Sequence, residues 1–197
     1  MTFNAEPVGT TRSETLDHVR QVAERLARDG DVPALFALWR GHDPGAWSKA
    51  PEAYRLLAER LRAVGEPLLA FDVADEALGY WPEDLRLRQL HGLALADSGA
   101  TERANNAFGR LVSEGYDDEE TVGMLARTHK DLWARACDAV EKDRHLRLAQ
   151  HYYESAYRHT GGYWTGINAA TLAALQGSAS SATLAHEVFE RCLTDLR

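Results

Sequence analysis

The chain has 197 residues, 45% of them hydrophobic, enough to fill the core of one domain or of two small ones. Its 22 Lys and Arg stand against 30 Asp and Glu, a formal charge of −8 that opposes phosphate backbones and anionic membrane surfaces. Neither a nucleic-acid nor a membrane partner is therefore expected.

In chain order, the first fourteen residues, MTFNAEPVGTTRSE, hold no apolar run, and nowhere do eighteen apolar residues follow one another. Export and membrane spans are thus not predicted, and a cytoplasmic setting is expected. Residues 1–12 are expected to be extended or disordered. Helical periodicity begins in TLDHVRQVAERLA, where Leu16, Val19, Val22, Ala23 and Leu26 form one stripe, with Ser13 as its cap and Gly30 as its stop. A second helix, DVPALFALWR, is short and ends in GHDPG, so this first pair reads as an amino-terminal cap. Runs of Val, Ile, Thr and aromatics with period two are missing along the whole chain, and no strand is predicted.

From Pro51 the helix breaks keep a fixed interval. Counting 34 residues from there, Tyr54, Leu57, Ala58, Leu61, Gly65, Ala70, Ala74, Ala77 and Pro82 occupy positions 4, 7, 8, 11, 15, 20, 24, 27 and 32. A second unit from Leu85 puts Gly92, Leu95, Gly99, Ala104, Phe108 and Leu111 at positions 8, 11, 15, 20, 24 and 27. Small residues at 8, 20 and 27 let two helices of a pair approach, and large ones at 4, 11 and 24 fill the gaps between pairs. The pattern resembles a tetratricopeptide repeat. The fold expected is all-α, a tetratricopeptide-like right-handed solenoid of antiparallel helix pairs. One domain over 13–197 would hold pairs at about 13–45, 51–84, 85–118, 119–160 and 163–197.

The third good unit starts at Glu119 with Val122, Leu125 and Ala126, and then the period breaks. Ala149, Tyr153 and Ala156 suit positions 20, 24 and 27, but 23 residues separate Ala126 from Ala149 where the pattern allows twelve. The eleven extra residues would lengthen both helices, at about 1.5 Å per residue, and leave DAVEKDR as a projecting turn.

The same region, GMLARTHKDLW followed by AQHYYESAYRHTGGYWTGINAATLAALQG, resembles the TRAFs-binding domain of the apoptosis signal-regulating kinases, a group of mitogen-activated kinase kinase kinases. The match falls on Gly123, Arg127, Lys130, Asp131, Trp133, Tyr152, Tyr153, Ala156, Gly166, Ile167, Asn168 and Ala170, with Thr165 where serine is usual. It is tight over about 119–177 and upstream rests on the repeat pattern alone. The resemblance implies a non-catalytic scaffold of helical repeats that recruits signalling partners; no kinase domain accompanies it in this sequence.

INAATLAAL then reads as the first helix of a last pair, its alanines allowing near contact with LAQHYYESAY. Gly123, Trp133, Tyr153, Ala156, Gly166, Asn168 and Ala170 are given structural roles; Asn168, among apolar neighbours, needs hydrogen-bond partners if buried. The closing helix, ATLAHEVFERCLTDL, keeps Leu184, Val188, Cys192 and Leu193 on one side.

Binding in such a fold belongs on the concave face, made by positions 2, 5, 9, 12 and 13 of first helices. There lies a basic thread of Arg55, Arg62, Arg86, Arg127 and Lys130, with Gln89 and Asp131 among them. Such a thread would hold carboxylates of an acidic peptide. The other reading is of solvated residues paired with neighbouring Asp and Glu, Lys130 and Asp131 satisfying each other or neighbouring backbone. Glu59 and Glu120 stand where chaperone-tail-binding repeats need asparagine and lysine, which disfavours that partner.

Chemistry has little to work with. A phosphate loop, G-x-S-x-G and H-E-x-x-H are all missing. Arg144 with His151, and His145 beside the arginine, fits an R-x(4-6)-H ribonuclease pattern, but Arg12 with His18 and Arg86 with His91 fit it as well. His129, His145, His151 and His159 lack the spacing of metal ligands, and Cys137 and Cys192 read as reduced thiols. No cofactor or metal is expected. The function expected is a non-catalytic protein-interaction scaffold of signalling type; the alternatives are a self-associating module, with the oligomeric state open, and a helical ribonuclease.

Overall fold

A computed structural model describes residues 12–195, and side chains over 16–194. Among these residues eleven α-helices and no strand occur: α1 (Arg12–Asp29), α2 (Val32–Arg40), α3 (Pro44–Trp47), α4 (Pro51–Ala63), α5 (Pro67–Tyr80), α6 (Leu85–Asp97), α7 (Thr101–Ser113), α8 (Glu119–Arg135), α9 (Ala139–Thr160), α10 (Tyr163–Leu175) and α11 (Ser181–Asp195). They form two compact units, one ending at Ser98 and one beginning at Gly99. The side chain of Ser13, expected to cap α1, lies outside the described residues, as do residues 1–11.

In the first unit α4 packs on α1, α5 and α6, and α5 on α6. The repeat positions explain why. Tyr54, Leu57, Ala58 and Leu61 of α4 and Ala70, Ala74 and Ala77 of α5 are all fully buried, so the small residues lie where the helices close on each other. Pro51 and Pro67 open α4 and α5 at the first helical position, where the missing N–H would have no partner within the helix. Gly65 turns the chain between them with φ +85°, a left-handed conformation that a side chain would strain. Gly99, 34 residues on, has φ +86°, which is why both units carry glycine at the same repeat position.

One feature of this unit is not written in the repeat. Glu76 of α5 accepts hydrogen bonds from Trp39 Nε1 and from the Tyr54 hydroxyl, each at 2.8 Å. His42 Nε2 stands 3.1 Å from the same carboxylate. The knot ties the short α2 and the turn after it to α4 and α5 and satisfies every polar group it buries.

In the second unit the helices pack in succession, α7 on α8, α8 on α9, α9 on α10 and α10 on α11. The core holds Ala126, Ala149, Tyr153, Tyr157, Ala169, Ala170, Leu172, Leu184 and Val188. Asp118 caps α8 by accepting from the Thr121 amide, and Asp138 caps α9 by accepting from Val140 and Glu141. The eleven residues that break the period are present as helix: α8 has 17 residues and α9 has 22, against 13 in α6 and α7. DAVEKDR is not a projecting turn. The turn is confined to Ala136–Asp138, because the Asp138 cap starts α9 at Ala139.

Where these extended ends run side by side, His129 of α8 and His145 of α9 meet, Nδ1 to Nδ1, at 3.0 Å. Arg144 Nη2 donates to His145 Nε2 at 3.0 Å. An arginine can only donate, so His145 keeps its proton on Nδ1 and gives it to His129 Nδ1. Both imidazoles are therefore neutral. Burial, reinforced by His145 and Arg144, pushes His129 down to about 4, and burial with Arg144 lowers His145 too.

Candidate functional site

The motif residues from 123 to 170 gather in the second unit, where α8, α9 and α10 meet. Gly123 lies in the second turn of α8, and a Cβ there would run into the Trp164 ring and reach within 3.3 Å of Thr165 Cγ2. The glycine therefore lets an indole lie directly against the α8 backbone. Trp164 stands edge-on to the buried Tyr153, centroids 5.7 Å apart at 88°. Lys130 Nζ lies 5.6 Å from the Tyr153 centroid and donates to Asn168 Oδ1 at 2.9 Å. Asn168 Nδ2 in turn donates to the Trp164 carbonyl at 2.9 Å. Asn168 thus joins α10 to α8 with both ends of its amide engaged.

Lys130 is therefore not paired with Asp131. Asp131 faces Arg127 at 3.9 Å, one turn back on α8. Burial pushes the Tyr153 phenol up, with Asp131 adding to the effect and Arg127 opposing it, and the hydroxyl has no hydrogen-bond partner. At the other end of the face, Glu119 Oε1 accepts from the Thr165 hydroxyl at 3.0 Å, and its carboxylate fills the space beside Gly162 where α10 begins. A negative group there suits the start of a helix.

The remaining motif residues close the helices. Ala156 and Ala170 are buried, and a Cβ on Gly166 would meet Val188 Cγ2 at 2.6 Å and Tyr157 Cδ2 at 2.7 Å. Trp133 is half-buried further along α8. The ring that completes the cluster is Trp164, which the motif does not single out. Its signal was the bare Gly123 on the facing helix.

Beside this cluster α10 exposes Tyr163 by 71%, Ile167 by 57% and Trp164 by 37%. A groove of about 530 Å³ opens at the start of the two helices, lined by Glu119, Glu120, Met124, Gly162, Tyr163 and Trp164.

The basic thread of the first unit is occupied. Arg55 bonds to Asp84; Arg62 meets Asp97 at 2.7 and 2.9 Å; Arg86 meets Glu59 at 2.8 and 3.1 Å and Gln89 at 3.4 Å. Arg144 is likewise engaged, by Glu141 at 2.8 Å and by His145, while His151 is exposed beside Tyr152. Cys137 and Cys192 are free. Among the described residues no three His, Cys, Asp or Glu side chains gather to hold a metal, and no helix is long and apolar enough to cross a membrane.

A family model described as Tetratricopeptide Repeats-Sensor matches residues 66–173. Among solved structures, the MamA RS-1 ArsTM double mutant superposes with a TM-score of 0.67 over 92% of this chain and 97% of that one, at 16% identity. The thermophilic TPR protein TTC0263 of Thermus thermophilus gives 0.64 over 72% and 74%, at 17% identity. Human IFIT1, solved as a dimer with PPP-AAAA, gives 0.61 over 73% of this chain and 32% of its own, at 16% identity. No curated protein matches. At such identities the likeness establishes the fold, all-α and tetratricopeptide-like.

Proposed function

The chain belongs to the Tetratricopeptide Repeats-Sensor family, and from that premise we propose that it is a non-catalytic scaffold docking a protein or peptide partner on the α8–α10 face. The observation that carries this reading is the exposure of Tyr163, Trp164 and Ile167 together, on one end of α10, beside the polar cluster of Lys130 and Asn168. Aromatic and aliphatic anchors next to fixed polar groups are the composition of an interface centre, and isolated exposed residues elsewhere need no such account. The cluster is built before any partner arrives, so docking there orders few side chains. Gly123, Arg127, Lys130, Asp131, Tyr153 and Asn168, which carry the resemblance to the TRAFs-binding domain, lie on this face or directly under it, which supports a signalling role in a cytoplasmic setting.

An acidic partner is the weaker part of the proposal. In the first unit a carboxylate would have to displace Asp84, Asp97 or Glu59 from Arg55, Arg62 and Arg86. Arg127 and Lys130 offer the better contact, at the cost of Asp131 or Asn168. Affinity purification of the chain, followed by titration of the recovered and purified partner, tests the face. Lys130→Glu combined with Ile167→Arg should weaken binding by more than about tenfold, a loss of about 1.4 kcal/mol or more, with helical circular dichroism retained. Unchanged affinity refutes the proposal.

A second reading rests on its own observation. Leu175 of α10 is 58% exposed and Phe189 of α11 is 56% exposed, so the last helix pair could join a second copy. Sedimentation velocity of the wild type against Leu175→Glu with Phe189→Glu separates this from a partner-binding role.

A further inference from the structure

Resting on the docking face just proposed, we infer that its occupant is an α-helix of another protein, laid along the whole of α10 and touching it with an uncharged apolar stripe. The exposed residues of α10 are Tyr163, Trp164, Ile167, Thr171, Ala174 and Leu175. Tyr163, Ile167, Thr171 and Leu175 recur every four residues, so they form one ridge from the first residue of the helix to the last, about 18 Å and three turns long. The opposite side is apolar too, built round the buried Ala169, Ala170, Leu172 and Ala173. A helix that is apolar on every side is one that is covered on every side, and within this chain only one side of α10 is covered.

Charge and hydrogen bonding define the cover. Between Arg158 and Glu187 the sequence holds no Asp, Glu, Lys or Arg, in a chain of which 26% is charged. A charge brought onto the ridge would lose its water and find no opposite charge on α10. The polar side chains of the ridge are already used: the Thr171 hydroxyl donates to the Ile167 carbonyl at 2.7 Å, and Asn168 beside it accepts from Lys130 and donates to the Trp164 carbonyl. Nor does α10 offer an open edge, because its backbone bonds close within the helix. An extended peptide would therefore press its own N–H and C=O groups against carbon, without partners. A helix satisfies those groups internally and presents only side chains, which is the form this surface accepts. A second copy of the chain would bring another formal charge of −8, which opposes its approach, so the helix belongs to a different protein.

The test uses the whole chain and a set of fluorescein-labelled peptides of about eighteen residues, five turns of helix. The parent carries leucines at i, i+4, i+7 and i+11 on one side, glutamates and lysines in equal number elsewhere, and a staple on its charged side that holds it helical. A second peptide has two D-residues that break the helix, and two more replace one central leucine by glutamate or by lysine. Anisotropy should show the parent binding at least about tenfold more tightly than each of the others. In the chain, Thr171→Arg with Ala174→Arg should weaken the parent by about tenfold or more, although neither is a large apolar residue. Both are exposed, and circular dichroism checks that the helices are kept. Equal binding of the broken helix, tighter binding of either charged peptide, indifference to the double substitution, or no binding of any peptide at about 1 mM overturns the inference. So does a dimer of the chain alone, seen by sedimentation velocity and dissociated by the same substitutions, since the occupant is then a second copy. The purified partner separates the two proposals. If Lys130→Glu with Ile167→Arg abolishes its binding and Thr171→Arg with Ala174→Arg does not, the face stands and the helix along α10 falls; if neither pair matters, both fall.

Discussion

A glycine at position 123 decides how closely Trp164 can lie to α8, because the added methyl of Gly123→Ala would occupy the space of the indole. The ring would have to tilt away from Tyr153, and overpacking of this kind costs about 1 to 3 kcal/mol. Chemical denaturation should show that loss, and an unchanged midpoint would mean that the ring moves freely. The His129 and His145 pair gives a second expectation at this scale. In the unfolded chain His129 takes its proton near 6.5, and in the folded one only near about 4. Between those values the unfolded state binds more protons, so stability is full above pH 6.5 and is lost as pH falls towards about 4. Thermal unfolding measured across that window should show the decline, and His129→Leu should flatten it. Such contacts are hard to read from one sequence. Gly123 and Asn168 could be singled out as a motif, but nothing in their spacing says that Lys130 reaches Asn168 rather than Asp131, since the two lie on different helices.

Helices were far more legible than the contacts between them. Alanines at Ala58, Ala70 and Ala77 keep one phase because the close α4–α5 pair leaves no room for more, and that requirement is visible as a period. The broken period after Ala126 likewise announced longer helices, and α8 and α9 supply them. What the period could not place was the turn, since DAVEKDR is largely polar and its helical start depends on a single capping carboxylate. Asp138→Ala should therefore cost about 1 kcal/mol and fray the first turn of α9, which hydrogen exchange at Val140 and Glu141 would detect. Protection unchanged there would assign the start of α9 to packing alone. The knot at Glu76 had no sequence signal, because Trp39 and His42 come from before the repeat and the repeat position of Tyr54 states its burial, not what its hydroxyl meets.

For the molecule as a whole, membership of a tetratricopeptide-type family gives a fold whose use lies in its surfaces. The sequence placed that surface along a basic thread spread over several helices. In the structure the arginines of the first unit are paired with Asp84, Asp97 and Glu59, and three exposed apolar side chains, Tyr163, Trp164 and Ile167, stand together at the start of α10. This was not legible because exposure depends on which neighbours a helix lacks, and a repeat pattern states only which it has. Hydroxyl-radical footprinting of the full chain with and without its purified partner tests the account most directly. Tyr163, Trp164 and Ile167 should lose reactivity on binding, while the similarly exposed Leu68 of α5 stays reactive. Protection centred on α4 and α5, with the three α10 residues as reactive as before, would contradict it.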